Sequence, residues 1–140
     1  MSDPEIQVVR DQFDATNARD WERAMSYYAD DVVLVVPGEG IQSGRFEGKR
    51  TVGAWFGDWL GTWERDYRFD IDEARKIGDL IFIHAKHGGR GRASGVEVHS
   101  ESSYLYRVRD GKIVYVEFHW DRAAALEAAD SPGRSESEVD

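Results

Sequence analysis

Between Trp63 and Tyr67 the hydrophobic period of the chain changes from helical to two. It stays at two as far as Trp120. Before the change, Val52, Trp55, Phe56, Trp59, Leu60 and Trp63 recur at i, i+3, i+4, i+7, i+8 and i+11. That stripe predicts a helix over 48–64 with one wide apolar face. After it, Tyr67, Phe69 and Ile71 alternate with Arg68, Asp70 and Asp72, and further strand segments follow at 80–87, 96–109 and 112–120. Gly78-Asp79, the GGRGRASG stretch and Asp110-Gly111 separate them, and an Asp-Gly pair is a strong hairpin signal. Four strands joined by short connections form an antiparallel sheet, because parallel neighbours need long crossovers.

The first half supplies what covers that sheet. Asp3-Pro4 reads as a helix start, and Ile6, Val9, Phe13 and Asn17 continue it over 4–18. Arg19-Asp20 breaks this helix, and Asp20 caps a short second one with Trp21, Ala24, Met25 and Tyr28 on one face. Asp30-Asp31 lead into a Val-Val-Leu-Val-Val strand that Pro37-Gly38 ends. Residues 38–47 read as a loop. Asp121 caps a short alanine-rich helix, and the polar tail over 130–140 reads as disordered. The expected architecture is α+β: a cone-shaped barrel of a curved, mainly antiparallel sheet, with the three helices of the N-terminal half on its concave face. Residues 1–129 form one domain in this reading.

Composition removes several function classes. The 27 Asp and Glu against 18 Lys and Arg give a net charge of −9, which repels nucleic acid and anionic membranes. There is no cysteine, so thiolate chemistry and Cys-ligated zinc are excluded. His84 and His87 sit three apart on a strand and face opposite sides, so no metal is expected, and no motif calls for a cofactor. The acidic start lacks a signal pattern, which makes a cytoplasmic protein the default. Aromatic residues reach 12%, and that excess points toward a pocket.

The markers YYADDVVLVVP, Gly44 to Lys49 as G-x-F-x-G-K, RDGKI over 109–113, SGVEV over 94–98, the strand end HWD and the helix over 125–129 occur in one order. With this order of elements the chain resembles the nuclear transport factor 2-like superfamily, in particular its SnoaL-like, ketosteroid isomerase-like branch. The resemblance covers about residues 4–129. It implies a cystatin-like cone, a homodimer, and an apolar pocket that takes a small molecule. Residues that carry the chemistry in ketosteroid isomerases match Val36 and a position near Ser103. The aspartate of limonene-epoxide hydrolases falls near Phe118, and the acid of polyketide cyclases falls at Asp121, which also reads as a helix N-cap.

Hairpin geometry supplies a register. With Asp110-Gly111 as a two-residue turn, Leu105 opposes Val116, Ser103 opposes Phe118 and Glu101 opposes Trp120, all pointing inward. Tyr104, Tyr106 and Tyr115 then lie on the other face, as a dimer interface between sheets. A turn at Ala93-Ser94-Gly95 places His87 opposite Glu101. A one-residue slip instead turns His84 and Lys86 inward, and the sequence leaves both registers open. Glu101 with His87 is the candidate catalytic pair, a carboxylate and an imidazole tuned by the cavity. The same pair also reads as a structural ion pair. Tyr28, Val36, Trp55, Trp59, Ser103, Val116, Phe118 and Trp120 are the expected pocket lining. Two functions remain open: a cofactor-free isomerase, cyclase or hydrolase acting on an apolar small molecule, and a non-catalytic ligand-binding or structural homodimer.

Overall fold

The structure, a computed structural model, describes residues 3–38 and 43–130. Its elements run α1 (Pro4–Asn17), α2 (Trp21–Ser26), β1 (Tyr28–Val36), β2 (Gly44–Glu47), α3 (Lys49–Leu60), β3 (Arg68–Ile77), β4 (Leu80–Arg90), β5 (Glu97–Arg109), β6 (Lys112–His119) and α4 (Arg122–Ala129). One six-stranded sheet has the order β2-β1-β6-β5-β4-β3. The β1–β6 pair is parallel and the others are antiparallel. The fold is therefore α+β with a mixed sheet. The expected barrel does not close, since β2 and β3 remain edges.

Local chemistry explains most boundaries. Asp3 accepts from the amides of Glu5 and Ile6 and caps α1, an interaction that contributes about 1 kcal/mol. Asp20 and Asp121 cap α2 and α4 in the same way. The segment read as a loop over 38–47 holds β2, which pairs Phe46 with Leu34; residues 39–42 lie outside the described set. Tyr28, expected on the second helix, is the first residue of β1. The tail from 131 onward also lies outside the described residues. Among them, no helix is long and apolar enough to cross a membrane.

The sheet has two differently covered faces. On its inner face, Val9 and Phe13 of α1 and Val52 and Leu60 of α3 pack against Val32, Leu34, Ile81, Ile83, Tyr106 and Val116. On its outer face, Ala125 of α4 packs with Leu80, Phe82 and Leu105. Asn17 fixes α1 to the edge strand by exchanging two hydrogen bonds with the backbone of Phe69, at 2.8 and 2.9 Å.

One irregularity corrects the register read from the sequence. Asp110 and Gly111 do form the turn, with φ of 54° and 76°, and Arg109 pairs with Lys112. Then Val108 pairs with Ile113 but Arg107 with Tyr115. Val114 is the extra residue of a β-bulge. Past it every pair has slipped by one, so Tyr106 opposes Val116 and Tyr104 opposes Phe118. A slip of one exchanges the faces of a strand. Tyr104 and Tyr106 therefore point inward with Phe118, while Ser103 and Leu105 turn outward.

Candidate functional site: an aromatic cavity with unspent phenol donors

Between α1–α3 and the inner face lies a cavity of about 460 Å³. Tyr28, Trp55, Trp59 and Phe118, expected there from the sequence, line it. So do Phe13, Phe56, Trp63, Phe69, Tyr104 and Tyr106. Helical spacing brings Trp55, Phe56 and Trp59 to it, and Trp63 follows past the end of α3, which stops at Leu60 short of the expected 64. Strand alternation brings Tyr104 and Tyr106. The rings interlock: Phe13 meets Tyr104 edge-on at 5.6 Å, and Trp59 meets Tyr67 edge-on at 5.6 Å.

The remaining expected residues lie elsewhere. Val36 and Val116 are buried in the core without lining the cavity. Trp120 is 58% exposed, resting edge-on against Phe118. Ser103 is buried on the outer face, where it hydrogen-bonds His84 Nδ1 at 2.7 Å. Tyr115 is fully buried on that face, its hydroxyl donating to Glu117. Tyr104 and Tyr106 cannot serve a sheet–sheet interface, because the bulge points them into the cavity.

The expected catalytic pair is split by the sheet. Glu101 pairs across β4–β5 with Lys86, and His87 with Ser100. Glu101 therefore lies on the outer face, 2.7 Å from His84 Nε2. That hydrogen bond holds its carboxyl below the usual range. His87 points inward, which resolves the slip left open by the sequence. Its partners are Tyr67, with the hydroxyl 2.5 Å from Nδ1, and Ser102, 3.0 Å from Nε2. Burial lowers the His87 pKa from 6.5 to about 4, against the opposing pull of Glu101.

A neutral His87 fixes the direction of a hydrogen-bond chain. Ser102 donates to the Tyr104 hydroxyl at 2.7 Å, so Ser102 accepts from His87 Nε2–H. His87 Nδ1 then accepts from the Tyr67 hydroxyl. The Tyr104 proton is the one donor that the chain leaves unspent. Among the described residues, the hydroxyls of Tyr28 and Tyr106 also have no hydrogen-bond partner. Burial raises all three phenols well above their ordinary pKa, so they stay protonated donors. Burial pushes Tyr67 up to about 12.

Sequence reasoning missed Ser102 and Tyr67 as members of this chain. Tyr67 reaches His87 because the backbone at Gly89 passes very close. A Cβ on Gly89 would lie 2.5 Å from the Tyr67 Cα, so only glycine fits.

The SnoaL-like domain model matches residues 9–116. No curated protein matches the chain by sequence. Solved structures share the fold. A nuclear transport factor 2-like protein of unknown function from Burkholderia pseudomallei aligns with a TM-score of 0.73 at 22% identity, over 93% of this chain and 100% of that one. A Mycobacterium tuberculosis protein in complex with estradiol-17β-hemisuccinate aligns at 0.73 and 20%, over 86% and 95%. A SnoaL-like polyketide cyclase described from Jannaschia aligns at 0.73 and 16%, over 92% and 93%.

Proposed function

The chain belongs to the SnoaL-like domain family, and from that premise we propose that its cavity binds a small, largely apolar molecule carrying an oxygen acceptor. The observation that carries this reading is the set of three phenol donors, Tyr28, Tyr104 and Tyr106, facing an otherwise aromatic cavity. Each hydroxyl has a proton that no protein group among the described residues accepts, so a ligand carbonyl or hydroxyl placed there can take it, and the surrounding rings bury the ligand's body. The mycobacterial structure with a steroid ester supports a small-molecule ligand for this fold.

A second reading is enzymatic and rests on the hydrogen-bond chain. A phenol aimed at a substrate oxygen stabilises negative charge that develops there, as in enolisation or ring closure. Tyr104 is the group placed for that role. Ser102, His87 and Tyr67 act as positioning residues behind it. No Asp or Glu lines the cavity among the described residues, so a carboxylate base is not part of this reading.

Estradiol hemisuccinate is a suitable first probe, followed by tryptophan fluorescence. Tyr104→Phe keeps the ring and deletes the donor. It is expected to weaken saturable binding roughly fivefold or more. Unchanged affinity in the variant would remove Tyr104 from the site. An absence of saturable binding by the native protein argues against the steroid-sized ligand.

A further inference from the structure

The cavity is built from apolar walls, yet its charged lining residues all have one sign. Arg19, Arg65 and Arg92 line it, and no Asp or Glu does so among the described residues. This is unexpected in a chain with a net charge of −9. Three separate parts of the chain deliver these cations. Arg19 sits at the corner between α1 and α2, Arg65 follows α3, and Arg92 lies in the β4–β5 connection.

Backbone contacts hold the three together at one end. Arg19 donates to the carbonyls of Thr16 at 2.9 Å and Tyr67 at 2.5 Å. Arg92 donates to the Trp63 carbonyl at 3.2 Å, and its own amide bonds the Thr62 carbonyl at 2.9 Å. Neither guanidinium meets a carboxylate within ion-pair distance among the described residues. Arg65 is exposed and likewise forms no ion pair there. Asp66, which acts on Arg19 from nearby, is engaged with Arg90 at 3.3 Å. The Trp63 indole N–H is buried without an acceptor among the described residues. Like charges gathered together, only partly offset by Asp66, raise the potential at the cavity mouth, and a low-dielectric wall focuses it.

We propose that the cavity takes an organic anion whose ring-bearing body lies against Trp59, Phe69 and Phe118 and whose carboxylate or sulfonate end is held at the mouth by Arg19, Arg65 and Arg92. The proposal deepens the small-molecule reading and rests on it. Guanidinium groups suit this end because they stay charged and present paired N–H donors to a planar or tetrahedral anion. The phenols that also line the cavity select a second oxygen on the same molecule.

Two fluorescent probes with one body separate charge from apolar binding. Anilinonaphthalene sulfonate carries the anion, and N-phenylnaphthylamine is its uncharged parent. At low salt the sulfonate is expected to bind about tenfold more tightly than the parent, and the margin is expected to shrink as salt screens it. The double variant Arg65→Gln/Arg92→Gln alters exposed side chains and leaves the Arg19 anchor in place. It is expected to erase most of the tenfold margin while leaving the parent's affinity unchanged. Equal affinity of both probes for the native protein, or an equal loss of both in the variant, overturns the anion proposal alone. Binding of neither probe overturns it together with the cavity reading.

Discussion

Trp59→Ala is expected to lower the stability by about 3 kcal/mol, near the low end for a truncated core aromatic, because part of the ring already faces the cavity. In a chain of this size that is a drop of about 10 °C in Tm. The size follows from position. Trp59 lies between α3 and the sheet, with ring centroids 6.0 Å from Trp63, 5.6 Å from Tyr67, 5.9 Å from Phe69 and 5.8 Å from His87. Truncation removes packing from four rings at once, and α3 has few other anchors toward β3. Trp59 itself is half-buried, and the fully buried side chains of α3, Val52 and Leu60, carry far less area. Urea denaturation of both proteins measures the difference. A change under about 1 kcal/mol would mean that Trp59 merely overhangs the cavity.

Acidification is expected to destabilise the protein through His87. The pKa of this residue is about 4 in the native state against 6.5 for the free side chain. Between those values the unfolded chain binds a proton that the native state refuses. Stability is therefore complete above pH 6.5 and is lost as the pH falls toward 4. The loss is on the order of 2 kcal/mol once solvent screening is allowed for. The mechanism is specific. On protonation Nδ1 turns from acceptor to donor, so the Tyr67 hydroxyl must stop donating to it and accept instead, while Nε2–H still donates to Ser102 and the buried ring now carries a charge. His87→Gln offers an amide near the Nε2 position and cannot titrate. It is expected to be less stable at pH 7 and nearly flat between pH 6.5 and 4. A native-like slope in the variant would assign the acid sensitivity to other groups.

The elements of this fold were largely legible because each has a local cause. The aspartate caps, the helical stripe of α3 and the Asp110-Gly111 turn all act over a few residues. What failed was the face assignment of β5, because Val114 carries no mark of a bulge. Ile113, Val114, Tyr115 and Val116 are apolar on both sides, so the pattern cannot count an extra residue. The charge of Arg107 was the usable hint. It alternates with Tyr104, Tyr106 and Val108, and separates those three on the inner face from Ser103, Leu105 and itself on the outer one, although both sides are buried there. The β2 strand escaped notice because a four-residue strand with three exposed positions has almost no periodic signal.

The site was less legible than the fold. Trp55, Trp59 and Phe118 follow from spacing alone, whereas Tyr28, expected on a helix face, reaches the cavity from β1. Glu101 and His87 looked like one pair because a register error of one residue was enough to join them. In the structure Glu101 serves an outer-face contact with His84, and His87 serves the phenols. The arginine cluster had no sequence signature at all. Arg19 read as a helix breaker and Arg92 as part of a hairpin, and only the long-range return of the chain gathers them with Arg65.

The most direct test uses Gly57, which lines the cavity from α3. A Cβ there meets nothing within 4 Å, and its helical backbone accepts any side chain. Gly57→Phe is expected to fold with unchanged or slightly raised stability, since glycine inside a helix costs about 1 kcal/mol. Gly57 is exposed where it lines the cavity, so the ring is expected to fold over the cavity's open side and obstruct entry. Titration with N-phenylnaphthylamine is expected to show one saturable site per chain in the native protein and at least a tenfold weaker one in the folded variant. Native-like binding by a stably folded Gly57→Phe would contradict the placement of the ligand in this cavity.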